Sequence, residues 1–225
     1  MTAERMNKVN YNIEFHKIAD ALKEKGIRPG LLLHACCAPC ASACLERVRD
    51  IFDVTVFYYN PNITDANEYE KRVDEIKRLI DIYNEEGKAE HHGEISLLCG
   101  RYDSEEFYDI ARGLEDSPER GPRCHRCYEL RIAETAELAK ERGYEYFATT
   151  LTLSPLKDEQ VLNRIGYALQ DRMKEKSESD NSPLWLPSDF KKEGGYQRSI
   201  ELSAKYNLYR QNFCGCEFSR RVRGI

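Results

Sequence analysis

Short apolar segments alternate with long charged helical patterns along most of this chain. The apolar segments at 30–35, 53–59 and 145–150 have the length and composition of buried strands. Helical patterns at 67–86 and 128–142 separate them and are long enough to cross over a sheet. This order predicts an α/β domain built on a doubly wound, mostly parallel sheet.

Weaker patterns extend this organisation towards both ends of the chain. Further helices are predicted over 13–25, 106–112, 158–174 and 199–206, and a short strand over 183–187. The polar segment 174–183 lacks periodicity, which predicts a mobile surface loop within the domain. A chain of 225 residues has the size of one domain, and we expect a single catalytic domain over 1–225.

Charge and hydropathy restrict location and partners. Residues 1–15 are polar and carry no apolar signal core, and the longest apolar run is far too short to span a membrane. We therefore expect a cytoplasmic protein that does not contact a membrane. The net charge of −5 offers no general attraction to a polyanion, so a nucleic-acid site has to be local.

Unusual polar sequences follow the three strongest predicted strands. They are HACCAPC at 34–40, YNPNI at 59–63 and TTLTLSP at 149–155. In an open parallel sheet, ligands bind beyond the carboxyl ends of the strands, where the strand order reverses. One crevice is therefore predicted to gather all three sequences.

Cysteines are the most conspicuous feature of these sequences. Nine cysteines, an odd number, favour metal or redox chemistry over a framework of structural disulfides in a reducing compartment. Cys36 and Cys37 follow the first strand, and Cys124 and Cys127 form a C-x-x-C motif. The motif suits zinc, an iron–sulfur cluster or thiol exchange, and the four thiolates together match the usual complement of a [4Fe–4S] cluster.

The remaining cysteines divide into a possible redox pair and buried residues. One glycine separates Cys214 from Cys216, so the two can form a small, strained and labile disulfide. A second metal site or two unreactive thiols are the alternatives. Cys44 and Cys99 are expected in the core, and His34 is expected to be a buried histidine with its hydrogen bonds satisfied.

Six motifs occur in order over most of the chain: HACCAPC at 34–40, YNPNI at 59–63, GPRCHRCYELR at 121–131, TTLTLSPLKD at 149–158, DFKKEGGYQRS at 189–199 and LYRQNFCGCEFS at 208–219. Together they resemble the QueH family of epoxyqueuosine reductases. The resemblance implies a fold of the adenine nucleotide alpha-hydrolase (HUP) type. It also implies a cobalamin-independent deoxygenation of epoxyqueuosine at the wobble position of tRNA, in which two electrons and two protons convert the epoxide to an alkene and water.

The resemblance also implies roles for the cysteines. A [4Fe–4S] cluster would be held by four thiolates, those of Cys36, Cys37, Cys124 and Cys127. Cys214 and Cys216 would form the redox-active catalytic pair. Relatives can carry Asp at the position of Cys40, and because both residue types bind iron, we hypothesise that Cys40 ligates a second, mononuclear iron.

Residues for substrate binding are predicted from the same motifs. An epoxide oxygen needs a Lewis acid or proton donor, because an alkoxide is a poor leaving group. The candidate proton donors are Tyr59, Tyr128 and Tyr196, with buried packing as the alternative for each. Eight late cations are candidates for contacts to tRNA phosphates, with a solvated charged face as the alternative: Lys157, Lys191, Lys192, Arg198, Arg210, Arg220, Arg221 and Arg223. The predicted substrate-binding set is Tyr59, Asn60, Tyr128, Lys157, Tyr196, Arg198 and Arg210.

The expected partners are tRNA that carries epoxyqueuosine and an electron donor such as a ferredoxin or flavodoxin. Two other classes compete with the reductase: a thiol–disulfide oxidoreductase without iron, and a zinc-stapled RNA-binding module. A tRNA-thiolating enzyme could share the fold, but the S-G-G-x-D-S phosphate loop that it needs is missing where HACCAPC stands.

Overall fold

A computed structural model of the protein describes residues 8–90, 92–176 and 181–224. The helices are α1 (Tyr11–Lys25), α2 (Ala38–Val48), α3 (Ala66–Glu90), α4 (Glu105–Ala111), α5 (Pro122–Arg142), α6 (Glu159–Glu175), α7 (Gly195–Lys205) and α8 (Glu217–Arg223). The strands are β1 (Gly30–His34), β2 (Asp53–Tyr58), β3 (Ser96–Cys99), β4 (Tyr146–Thr149) and β5 (Leu184–Trp185). Residues 177–180 of the predicted mobile loop at 174–183 lie outside the described residues.

All five strands form one parallel sheet in the order β3-β2-β1-β4-β5. The chain builds outward from β1 through β2 to β3, and then continues on the other side of β1 with β4 and β5. The strand order therefore reverses between β1 and β4, where Leu32 pairs with Phe147. This confirms the predicted doubly wound α/β sheet of the HUP type.

Helices cover both faces of the sheet, which explains why its central strands are apolar without interruption. Leu31 and Leu33 of β1 pack on the face that α1, α2 and α3 cover, together with Phe15. Leu32 points to the opposite face and packs with residues of α5 and α6, such as Ile132. The alternation follows from the two-residue period of a strand.

The structure corrects the sequence-based assignment at one edge of the sheet. Strand β3 was not predicted, and Cys99 at its end is exposed, so the expectation that Cys99 lies in the core is wrong. Because β3 is an edge strand, its side chains are only partly covered. The buried positions predicted for Cys44 and His34 are confirmed.

Several helices also differ from the prediction, among them α7, which begins at Gly195, four residues before the predicted start at 199. Helix α5 begins at Pro122, six residues before the predicted start at 128, so both cysteines of the C-x-x-C motif are helical. Proline fits the first turn of a helix because its missing N–H would have no partner there. The carboxyl-terminal helix α8 was not predicted. In the described ranges, no helix has the length and apolar character required to cross a bilayer.

Candidate metal and redox site

A cavity of about 290 Å³ opens where the strand order reverses, beyond the carboxyl ends of β1 and β4. Five cysteines line it: Cys36, Cys37, Cys40, Cys124 and Cys214. Four predicted substrate-binding residues also line it: Tyr128, Lys157, Tyr196 and Arg210. The crevice expected from the sequence therefore exists, and it gathers residues from the first, third, fourth, fifth and sixth motifs. The prediction that it also gathers YNPNI at 59–63 is wrong, because no residue of that motif lines it.

The sulfur atoms of Cys36, Cys37 and Cys40 form the tightest group in the site. The three Sγ atoms all lie within 4.8 Å of one another, and those of Cys36 and Cys37 are 3.8 Å apart. Cys37 caps the amino terminus of α2 in an extended conformation, and Pro39 allows the helix to start immediately, which places Cys40 in the first turn. Three sulfurs at this spacing can bind a metal ion. No other group of three potential ligands is as tight within residues 8–90, 92–176 and 181–224.

The environment of this group favours one thiolate. Hydrogen bonds with the thiols of Cys37 and Cys40 hold the pKa of the Cys36 thiol well below its usual value. The positive charges of Lys157 and Arg131 add to this effect. The pKa values of Cys37 and Cys40 are raised, chiefly because their protons are held in the hydrogen bonds to Cys36. A thiolate is the form of cysteine that binds metal.

The C-x-x-C motif lies beside this group on the first turns of α5. Cys124 lines the main cavity, whereas Cys127 is buried and lines a second, smaller cavity of about 20 Å³ together with Cys124, Cys214 and Cys216. Burial raises the pKa of the Cys124 thiol, and it raises that of Cys127 to about 12. Of the four predicted cluster ligands, Cys36 and Cys37 therefore line the main cavity, Cys127 lines the smaller one, and Cys124 lines both. Cys40 belongs to the tight group of three.

The Cys214-Gly-Cys216 segment lies beside the C-x-x-C motif with both thiols free. Cys216 caps α8, and its Sγ accepts a hydrogen bond from the backbone N–H of Ser219 at 3.4 Å. Gly215 has φ +111°, and a Cβ there would lie 2.8 Å from Cγ1 of Ile63. Only glycine fits this position, because of both its backbone conformation and its close packing.

Sequence reasoning missed Arg72, which ties the Cys214 segment to helix α3. The side chain is 2% exposed, pairs with Glu68 at 2.7 Å through Nε, and donates through Nη1 to the carbonyl oxygen of Cys214 at 3.2 Å. Asn62, in the second motif, donates to the same carbonyl at 3.5 Å. The charged pattern of α3 gave no signal, because a buried arginine and an exposed one look the same in an amphipathic sequence.

Arg131 was also missed, and it lies behind the cysteines with its side chain fully buried. Its Nε donates to the carbonyl oxygen of Cys127 at 3.2 Å, and Nη1 donates to Oδ1 of Asn60 at 3.3 Å. Burial by itself would lower the pKa of Arg131, but its electrostatic interaction with nearby groups that can become anionic, chiefly Cys127 and Cys214, outweighs burial and raises it. Its position four residues after Cys127 in a helical motif was the signal that could have revealed it, since such residues share a helix face.

Three predicted substrate-binding residues do not line the main cavity: Tyr59, Asn60 and Arg198. Asn60 is 1% exposed and donates to the carbonyl oxygen of Ala35, so it supports the cysteine loop from behind. Tyr59 is buried, and its hydroxyl donates a hydrogen bond to Glu106. Tyr128 does line the cavity, and burial raises its pKa, so its hydroxyl stays protonated at neutral pH.

Four of the eight predicted phosphate-binding cations are paired with carboxylates. Arg198 forms two hydrogen bonds of 2.8 Å with Glu46 and lies outside the cavity lining. The other ion pairs are Lys191 with Glu159 and Asp189, Arg220 with Asp65, and Arg221 with Glu217. Lys192 is exposed, and the side chain of Arg223 lies outside the described part of the chain.

Three cations at the cavity differ from these paired residues, because no carboxylate neutralises them in the described part of the chain. Lys157, Arg210 and Arg120 line the cavity, and none of them has an ion-pair partner within the described ranges. Arg210 donates only to the carbonyl oxygen of Ser199 and the hydroxyl of Ser203. Arg120 was not predicted. Of the predicted phosphate-binding cations, Lys157 and Arg210 are therefore the ones that line the cavity without an ion-pair partner in the described part of the chain.

A doubly wound α/β domain with grouped thiols at its strand-order reversal defines a candidate thiol-based metal and redox protein. The model of the family described as epoxyqueuosine reductase QueH matches residues 31–222. The chain belongs to this QueH family, and it is an oxidoreductase, which confirms the predicted family and enzyme class.

Relatives named epoxyqueuosine reductase QueH align over most of the chain. The protein of Streptococcus pyogenes serotype M1 is 36% identical over 218 residues, which cover 97% of this chain and 81% of the relative. That of Staphylococcus epidermidis is 37% identical over 220 residues, covering 97% and 87%. That of Thermotoga maritima is 34% identical over 192 residues, covering 84% and 89%.

Proposed function

We propose that this protein reduces the epoxide of epoxyqueuosine to the alkene of queuosine at the wobble position of tRNA, without cobalamin. Two electrons and two protons are consumed, and the epoxide oxygen leaves as water. The observation that carries the proposal is the group of three sulfurs within 4.8 Å at the ligand cavity of a chain whose relatives are named for this reduction.

The donor set suits an iron–sulfur cluster. Seven cysteine thiols and one carboxylate, that of Glu119, line the two cavities, and thiolates are the usual ligands of such clusters. We assign Cys36, Cys37, Cys124 and Cys127 to a [4Fe–4S] cluster and Cys40 to a second, mononuclear iron. When bound, a cluster of this kind supplies electrons one at a time.

The protein's own residues bind the substrate and hold protons. A cavity of about 290 Å³ is at the lower limit of small-ligand sites, so it accommodates a modified base extruded from the anticodon and excludes a helix. The protonated hydroxyl of Tyr128 faces this space and is our candidate for the proton given to the epoxide oxygen.

Cys214 and Cys216 provide a store of two electrons and two protons. Oxidation of the two thiols to a disulfide balances the conversion of epoxide to alkene and water. An electron donor such as a ferredoxin or flavodoxin would then reduce the disulfide. A tRNA substrate and reduced thiols support a cytoplasmic location.

The cavity cations are proposed to hold the phosphates next to the extruded base. We expect Arg120→Gln and Arg210→Gln each to weaken tRNA binding by roughly tenfold, about 1.4 kcal/mol, because each removes one charged phosphate contact. Each should also reduce the slope of log K against log salt by about 1. Fluorescence anisotropy over a salt series measures both quantities, with Arg142→Gln on the exposed end of α5 as the matched control.

The paired cations provide the opposing test. Arg198→Gln should affect tRNA binding less than either cavity variant, because Glu46 already neutralises this guanidinium. If Arg198→Gln and Lys192→Gln weaken binding as strongly as the cavity variants, the phosphates bind along the carboxyl-terminal segment, and our placement at the cavity is wrong.

The function is tested by anaerobic purification, with iron and sulfide analysis and a turnover assay on tRNA containing epoxyqueuosine. We expect about four sulfides and four or five irons per chain, a brown absorption that dithionite bleaches, and conversion to queuosine. Colourless protein that carries zinc after anaerobic reconstitution and shows no turnover would contradict the reductase. Tight tRNA binding by such protein would instead identify a zinc-stapled RNA-binding module.

A further inference from the structure

Arg131 is a fully buried cation that has no carboxylate partner in the described part of the chain. Two of its nitrogens donate to neutral oxygens, those of Cys127 and Asn60. The third, Nη2, is buried and has no hydrogen-bond partner. The guanidinium therefore has both an uncompensated charge and an unused donor.

Arg72, a second buried arginine of the site, has a carboxylate that neutralises its charge. Its side chain is 2% exposed, and Glu68 pairs with it at 2.7 Å. A buried charge without a counter-ion destabilises a fold, and natural proteins pair such charges. The charge of Arg131 must therefore be balanced by something other than a carboxylate.

The groups around Arg131 that can become anionic are chiefly thiols. Its strongest electrostatic neighbours are Cys127, Cys214 and Cys36, which come from three separate segments of the chain, and the hydroxyl of Tyr128 follows them. Asn60 links Arg131 to the loop before Cys36 through hydrogen bonds. It accepts one from Arg131 and donates one to the carbonyl oxygen of Ala35. Arg131 thus faces both halves of the sulfur site from its buried side.

We propose that Arg131 is the counter-cation of the sulfur centre, and that its unused Nη2 donates a hydrogen bond to a sulfur atom there. The inference rests on the proposed iron–sulfur function. A fixed positive charge stabilises the reduced centre, which carries one more negative charge than the oxidised centre. Hydrogen bonds to sulfur and net charge are two of the factors that set the reduction potential of a cluster. Arg131 is therefore a tuning residue and makes no contact with substrate.

Removal of this charge should make the centre harder to reduce. We expect Arg131→Gln to lower the equilibrium constant for one-electron reduction at least tenfold, a shift of about 59 mV to more negative potential. Arg131→Met should do the same, and it provides a second neutral variant if the first does not fold. Arg131→Lys keeps the charge and should stay closer to the wild-type potential than either neutral variant.

The test measures reduction potentials by spectroscopic redox titration of each full-length protein after reconstitution with iron and sulfide. Arg142→Gln, an exposed change on the same helix, is the matched control and should leave the potential unchanged. Circular dichroism and iron content establish that each variant is folded and loaded. A negative shift in the neutral variants alone supports the proposal.

The other outcomes separate this inference from the proposed function. Equal potentials in wild type and both neutral variants would overturn the role of Arg131, while wild-type turnover of epoxyqueuosine-containing tRNA would leave the reductase proposal intact. The expected shift in reduction potential, without any turnover by the wild type, would support the role of Arg131 and contradict the reductase proposal. A wild-type chain that assembles no cluster would overturn both.

Discussion

Cys36→Ser is expected to reduce turnover at least about a hundredfold and to lower the iron content of the purified protein. Cys36 has the lowered thiol pKa in the tight group, because of its hydrogen bonds with Cys37 and Cys40. A serine hydroxyl is protonated at neutral pH and is a harder ligand, so it cannot take over this position. Iron analysis and a turnover assay on the same anaerobic preparation measure both effects.

Other cysteines supply the control and a sharper comparison. Cys99→Ser, exposed at the end of β3, should retain iron and activity. Our assignment predicts that Cys40→Ser loses only the mononuclear iron. It predicts that Cys127→Ser loses the whole cluster. The reverse pattern would move the cluster to the tight group of three. Full iron and activity in Cys36→Ser would show that the centre lies elsewhere.

Gly195→Ala is expected to lower the free energy of unfolding by about 3 kcal/mol, because the added methyl group overpacks a backbone contact. A Cβ on Gly195 would lie 1.9 Å from the carbonyl oxygen of Phe190, so the start of α7 would have to move. For a chain of this size the melting temperature should fall by roughly 10 °C. Calorimetry or thermal circular dichroism measures the change, and Tyr196 and Ser199 of the cavity lining would be displaced with the helix.

The preceding glycine is a matched control. Gly194 has φ +74°, but a Cβ there would meet no atom within 4 Å. Gly194→Ala should therefore cost only the strain of a left-handed residue, about 1 kcal/mol. Equal losses of stability in the two variants would contradict the prediction, because the contact with Phe190 would then cost no more than the strain at Gly194.

Much of the fold was predictable because its signals are local. Central strands buried on both faces appear as uninterrupted apolar runs, as at Leu31–Leu33. Strand β3 gave no such signal, since Leu97 and Leu98 are only partly covered at the sheet edge. The early start of α5 was missed because the C-x-x-C motif was interpreted as a ligand spacing and not as one turn of a helix.

The cysteines of the site were predictable as groups but not as an arrangement. Each group is contiguous in sequence and lies where a helix begins, as Cys37 and Cys216 do at the amino termini of α2 and α8. Which groups meet depends on the strand order. The contribution of Arg72 and Arg131 depends on burial, which the charged helical patterns around them do not reveal.

The amino-acid sequence alone determined the α/β class, the family motifs and the sulfur inventory, because these depend on residues that are neighbours in the chain. The tertiary structure alone decided which charges remain available. Glu46 neutralises Arg198 from 152 positions away in the sequence, and Glu159 pairs with Lys191 from 32 positions away. Arg131, by contrast, is buried with no carboxylate partner among the described residues. Electrostatic pairing acts through space, so only the folded chain fixes which cations can serve the site.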